Sequence, residues 1–91
     1  MSTECHVLEV QNEKFFLMLL KKGRPVPTIE TKITRFEGEV PLIHSMIAIS
    51  CVDTNRVDYY RVIYHLSYLT RKEDGDTNLK CVFIYVVKVS S

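Results

Sequence analysis

The sequence predicts an α+β domain, with an antiparallel sheet of about four to five strands, one main helix over about residues 12–22, and a long C-terminal β-hairpin over about 57–70 and 79–89. Three observations carry this. Val, Ile, Thr, Tyr and Phe make up 34 of the 91 residues while alanine occurs once, at Ala48, a balance that suits a pleated, half-buried surface. One segment alone combines helical spacing with matching start and stop residues. Two β-rich runs near the C-terminus bracket a polar turn.

The helix is marked at both ends. Asn12 is a good N-cap and Glu13 complements the positive end, while Phe15, Phe16, Leu19 and Leu20 recur at helical spacing. Lys21 and Lys22 suit the negative end, Gly23 is placed to stop the helix, and Pro25 follows. A fully buried strand over Phe15 to Leu20 is the competing reading, since a short apolar run fits either. Upstream, residues 6–10 read as a short strand. Downstream, Ile29, Thr31 and Ile33 alternate with Glu30, Lys32 and Thr34, which predicts a strand over 28–36 with one wet face. Leu42 to Val52 is apolar and runs into Asp53-Thr54-Asn55, a turn-forming cluster, so a buried strand is expected from about residue 45.

Residues 57–70 fit a helical stripe through Val57, Tyr60, Ile63, Leu66 and Leu69. They fit a strand better, because Tyr60, Val62, Tyr64, Leu66 and Tyr68 repeat at period two against Arg61, His65, Ser67 and Arg71. Lys72 to Asn78 is turn-rich and Leu79 to Val89 is a nearly unbroken β-former run, completing the hairpin. No repeat, low-complexity tract or long linker divides the chain, so a single domain over 1–91 is expected.

Composition narrows the function classes. A hydrophobic fraction of 46 % and a charged fraction of 25 % are globular values, and a net charge of +1 gives no overall field to gather nucleic acid or anionic lipid. No apolar run reaches the roughly eighteen residues that a spanning helix needs, which leaves peripheral association as the only membrane role expected. Cys5, Cys51 and Cys81 are odd in number and widely spaced, with no signal-peptide pattern ahead of them. Free thiols in a reducing, intracellular compartment are expected.

No residue set forms a recognisable catalytic, cofactor or metal site. Three histidines and three cysteines include no chelating pair at CxxC or HxxxH spacing. His65, Asp58 and a serine or cysteine would make a triad only by residue type. Asp74-Gly75-Asp76-Thr77-Asn78 copies the opening of a calcium loop, but the sixth position is Leu79 and the twelfth Tyr85, so it reads as a solvated turn. Lys21-Lys22-Gly23-Arg24 with Tyr59, Tyr60, Tyr64 and Tyr68 would suit single-stranded nucleic acid. The lysines read better as a helix end and the tyrosines as core, so nucleic acid is set below protein as a partner.

The last strand carries the functional hint. Leu79, Cys81, Phe83, Tyr85, Val87 and Val89 form one face, and Val82, Ile84 and Val86 lie on the other between Lys80 and Lys88. A strand apolar on both faces wants cover on both, and one helix covers one. The candidate protein interface is therefore Val82, Ile84 and Val86 with Arg61, Ile63 and His65 on the neighbouring strand. The competing reading is a twisted sheet shielded on that side by the 24–44 segment.

A family likeness falls on the same hairpin. An apolar strand ends in Val52-Asp53, a short polar turn follows, and then come Tyr60-Arg61-Val62-Ile63-Tyr64-His65-Leu66-Ser67-Tyr68-Leu69 and Leu79-Lys80-Cys81-Val82-Phe83-Ile84. Over residues 49–89 this resembles the NuoC-type subunit family of respiratory complex I and of energy-converting hydrogenases, and the upstream strand and helix fall in family order. The segment from Arg24 to Val40 is longer than the usual family connection, and the aromatic and Arg-Glu motif that typically follows the hairpin does not occur within these 91 residues. The resemblance implies a subunit without redox cofactor, packed against a larger catalytic subunit. The expected function is thus a non-catalytic structural or assembly subunit that binds a larger protein. A stand-alone binding or regulatory module, such as a homodimeric viral or host-interaction protein, is the alternative.

Overall fold

The computed structural model describes residues 3–23 and 31–90. In chain order it contains β1 (Thr3–Glu9), α1 (Glu13–Lys21), β2 (Thr31–Gly38), β3 (Met46–Cys51), β4 (Arg56–Arg71) and β5 (Thr77–Ser90). The α+β class, the helix and the hairpin agree with expectation to within a few residues. Residues 24–30, which include part of the predicted 28–36 strand, lie outside the described residues.

The five strands form one sheet in the order β2-β1-β5-β4-β3. The expectation of a purely antiparallel sheet is corrected, because β1 pairs with β5 in parallel, Cys5 opposite Val82 and Val7 opposite Ile84. Strand direction leaves no trace in hydrophobic periodicity. The free edge of β5 accepts the N-terminal strand across the whole length of the intervening chain, a separation that permits parallel pairing. β5, last in sequence, is central in space.

Local chemistry sets the helix as the sequence predicts. The Asn12 side-chain oxygen accepts from the Phe15 N–H at 3.0 Å, and the chain leaves the helix through Gly23, at φ 69°, whose N–H donates to the Leu20 carbonyl. Phe16 is buried, and its ring meets Tyr85 at 5.0 Å and Tyr64 at 6.0 Å between centroids. Val10, Ile63 and Tyr85 join it in the helix-side core, flanked by Leu8, Leu20, Tyr64, Leu66, Phe83 and Val87.

The opposite face of β5 is covered by the sheet itself. Cys5, Val7, Tyr60, Val62, Val82, Ile84 and Val86 form a second buried cluster, and Ile33 and Phe36 from one edge strand pack on it together with Ile47 and Ile49 from the other. Both edges therefore curl toward the same side. The short β2–β3 connection demands this curl. Eight Cα steps from Gly38 to Met46 reach about 28 Å at full stretch, whereas a flat five-stranded sheet is about 19 Å wide before the chain has climbed over its side chains. Val40, within that connection, packs on the cluster. His44, at φ 76°, turns the chain into β3 and donates its N–H to the Val62 carbonyl at 2.7 Å.

One bulge divides β4 between the two cores. Val62 lies opposite Val86, but Tyr64 lies opposite Tyr85, so Ile63 is the extra residue. Before it, Tyr60 and Val62 face the curled side; after it, Tyr64 and Leu66 face the helix. The expected common face for Tyr60, Val62, Tyr64, Leu66 and Tyr68 is therefore corrected to two faces. A one-residue shift exchanges every later side chain between faces.

Beyond the cores the hairpin continues as an arm, exposed from Ser67 to Lys80. The radius of gyration of 14.5 Å and a longest dimension of 48 Å reflect it, against about 12 Å expected for the radius of a compact chain of this length. Gly75, at φ 95°, and the Asp74 carboxylate accepting from the Asp76 N–H at 3.1 Å build its tip. The calcium-like residues thus make a turn.

The two-sided core makes Ile84, with no exposed surface, intolerant of charge. Ile84→Lys is expected to cost about 3–5 kcal/mol and to abolish the cooperative thermal transition followed by circular dichroism, while Val89→Lys, at an exposed position, leaves it in place. Equal melting of both variants would contradict the curled-side core.

Candidate interaction surface

The six residues singled out by the sequence separate. Val82, Ile84 and Val86 are buried within the chain, so the expectation that a partner covers them is corrected: β2, β3 and Val40 do so. Ile63, the bulge residue, is buried against the helix. Arg61 points to the same side, where its Nη2 donates to both carboxylate oxygens of Glu13, at 3.0 and 2.8 Å. That pair ties the start of α1 to β4. His65 lies opposite Ile84 on the curled side, and its buried Nε2 has no hydrogen-bond partner among the described residues.

Apolar side chains are left uncovered elsewhere, on the outer side of α1, at Leu42 and Val52, on the hairpin arm and in a strip across β3 and β4. A nine-residue helix is about 13 Å long, and α1 ends its cover at the Arg61–Glu13 pair. Past that point, on the helix side, β3 and β4 present Met46, Ala48, Val57 and Tyr59. Register fixes this placement: Ala48 lies opposite Tyr59, Met46 opposite Arg61 and Ser50 opposite Val57. Ile47, Ile49, Tyr60 and Val62, one step away, point into the curled side. Met46 is 58 % exposed and Tyr59 44 %. The sequence concealed this strip, because the run from about residue 45 reads as a buried strand and Tyr59 as core together with Tyr60, Tyr64 and Tyr68. The alternation of Ile47 and Ile49 with Met46, Ala48 and Ser50 was the available signal.

The three cysteines occupy unlike settings. Cys5 is buried, and desolvation, with the neighbouring Cys81 thiol, raises its pKa; Cys51 is exposed at the end of β3. Hydrogen bonds from the Thr54 hydroxyl, and from the N–H groups of Thr54 and Asp53, lower the Cys51 pKa. Among the described residues no three His, Cys, Asp or Glu side chains gather as a metal site, and no helix is long and apolar enough to cross a membrane.

The fold and surface define an α+β domain with a curled mixed sheet and an uncovered apolar strip beside its helix. No family model, curated protein or solved structure matches the chain.

Two outcomes are expected. Native-state alkylation with iodoacetamide, followed by mass spectrometry, should modify Cys51 before Cys5 or Cys81 and persist to lower pH than for an ordinary thiol. Thr54→Val should slow it at neutral pH. Replacing the unsatisfied imidazole in His65→Leu should hold or raise the melting temperature, since an unpaired buried polar atom is a cost; a marked fall would mean that the ring has a partner.

Proposed function

We propose that this chain is a non-catalytic domain that binds a larger protein, as a structural or assembly subunit, through the strip of Met46, Ala48, Val57 and Tyr59. The observation that carries the reading is this strip: contiguous apolar side chains on two paired strands, lying outside both cores. Its composition supports a protein partner. Met, Tyr and Arg are enriched at the centres of protein interfaces, and Met46, Tyr59 and Arg61 adjoin here. The more specific form of the proposal is an assembly of the NADH dehydrogenase or hydrogenase kind, resting on the resemblance over residues 49–89.

Native mass spectrometry of the assembly isolated through this chain tests it. The wild type should carry a larger protein, and Met46→Glu with Tyr59→Glu should remove that protein while leaving the melting temperature within a few degrees, because both side chains are exposed. A wild-type chain isolated as a stable monomer sinks the proposal. A double variant that keeps its partner moves the interface elsewhere.

One observation favours a second reading, a homo-oligomer. The outer edge of β3 carries no charge over Met46–Cys51, whereas β2 carries Lys32, Arg35 and Glu37, the usual guard against edge-to-edge pairing. Equilibrium sedimentation showing a tight dimer and no larger partner would select it.

A further inference from the structure

The helix presents a second apolar surface, unlike the first. A surface helix ordinarily turns a polar side outward. α1 sets apolar residues among the lysines of that side: Phe15 is 48 % exposed and Met18 42 %, and Leu17, on the flank, is 44 % exposed. With Phe16 and Leu20 seated on the sheet and about 100° between successive residues, Met18 falls opposite the core and forms the apex of the outer side. Phe15 lies three residues before it. Lys14 and Lys22 stand four residues to either side and Lys21 three beyond, all exposed.

The charge on this face is of one sign. The single acid of the helix, Glu13, is held by Arg61, and no ion pair forms between Lys14, Lys21 or Lys22 and an acid among the described residues. Lys21 and Lys22 also complement the negative helix end. Lys14 has no such role, since a cation in the first turn faces the positive end.

We propose that the outer face of α1 docks on an anionic lipid surface, with Met18 and Phe15 entering the headgroup boundary and Lys14, Lys21 and Lys22 meeting acidic headgroups. Charge complementarity commits the face to an anionic partner, and composition and shape choose lipid over protein. Lysine is depleted in protein interfaces and arginine enriched; this face carries three lysines and no arginine. It offers no side-chain amide, hydroxyl or guanidinium to fix a partner's geometry. A convex ridge of flexible side chains suits a deformable surface.

This surface is separate from the β3–β4 strip, so the two proposals fail independently. The test uses the full chain and sedimentation with vesicles of phosphatidylcholine alone or mixed with phosphatidylserine. Binding should require phosphatidylserine, weaken with salt, and fall about fivefold for each lysine changed to Gln at positions 14, 21 and 22. Met18→Glu should abolish it with the circular dichroism spectrum unchanged, whereas Tyr59→Glu should have no effect. The chain lacks tryptophan, so a Phe15→Trp variant reports insertion directly by a blue shift of its emission. Failure to bind mixed vesicles at low salt overturns the proposal. So does equal binding to both compositions, or retention on an acidic peptide column without vesicle binding.

Discussion

The fold depends on covering both faces of β5. Val82, Ile84 and Val86 on one side and Tyr85 on the other are all buried, and burying each such side chain contributes about 1.5–3 kcal/mol. A chain of this size has a net stability of only about 5–15 kcal/mol, so neither face is dispensable. Placing β5 at the centre, between β1 and β4, protects its backbone. The two faces are then served by different means, a helix on one and the sheet's own edges on the other. The curl that covers the second face is the same one that the short β2–β3 connection demands.

The bulge at Ile63 is where the two solutions meet. Without it, Tyr60, Val62, Tyr64 and Leu66 would share a face, and the hairpin would build one large core and leave the other thin. With it, the first half of β4 supplies the curled side and the second half the helix side. The same residue, buried beside Phe16, is part of the helix seat. Its side chain is thus both a register device and a packing element. The alternation of the sequence hid it well, because Ile63 occupies a slot in the polar series Arg61, His65 and Ser67, and a skipped step in pairing leaves the one-dimensional pattern intact.

Legibility in the sequence followed the range of the interaction. Asn12, Glu13 and Gly23 act on their own helix, and Asp53-Thr54-Asn55 and Gly75 on their own turns, so the helix and both turns could be read directly. The parallel β1–β5 pair joins residues nearly eighty positions apart, and nothing local encodes it. The candidate interface was misread for the same reason. The excess apolar face on β5 was a sound observation, but its cover comes from Ile33, Phe36, Ile47 and Ile49, strands whose spatial order the sequence does not state. The uncovered strip lies instead on β3 and β4, in part within the run from about residue 45 that reads as a buried strand.

Why any strip stays uncovered is a matter of geometry. On the helix side one nine-residue element must shield a sheet five strands wide, and a cylinder about 10–12 Å across shields roughly two to three strands. α1 lies over the residues of β1, β5 and the upper part of β4 that flank Phe16, and the Arg61–Glu13 pair fixes its near end there. The β3 end of the sheet is beyond its reach. A longer helix or a second one would close the strip, and a more polar β3 would make it an ordinary wet face. The chain does neither. It holds Met46, Ala48, Val57 and Tyr59 in the open on paired strands, and on that exposure the proposed interface rests.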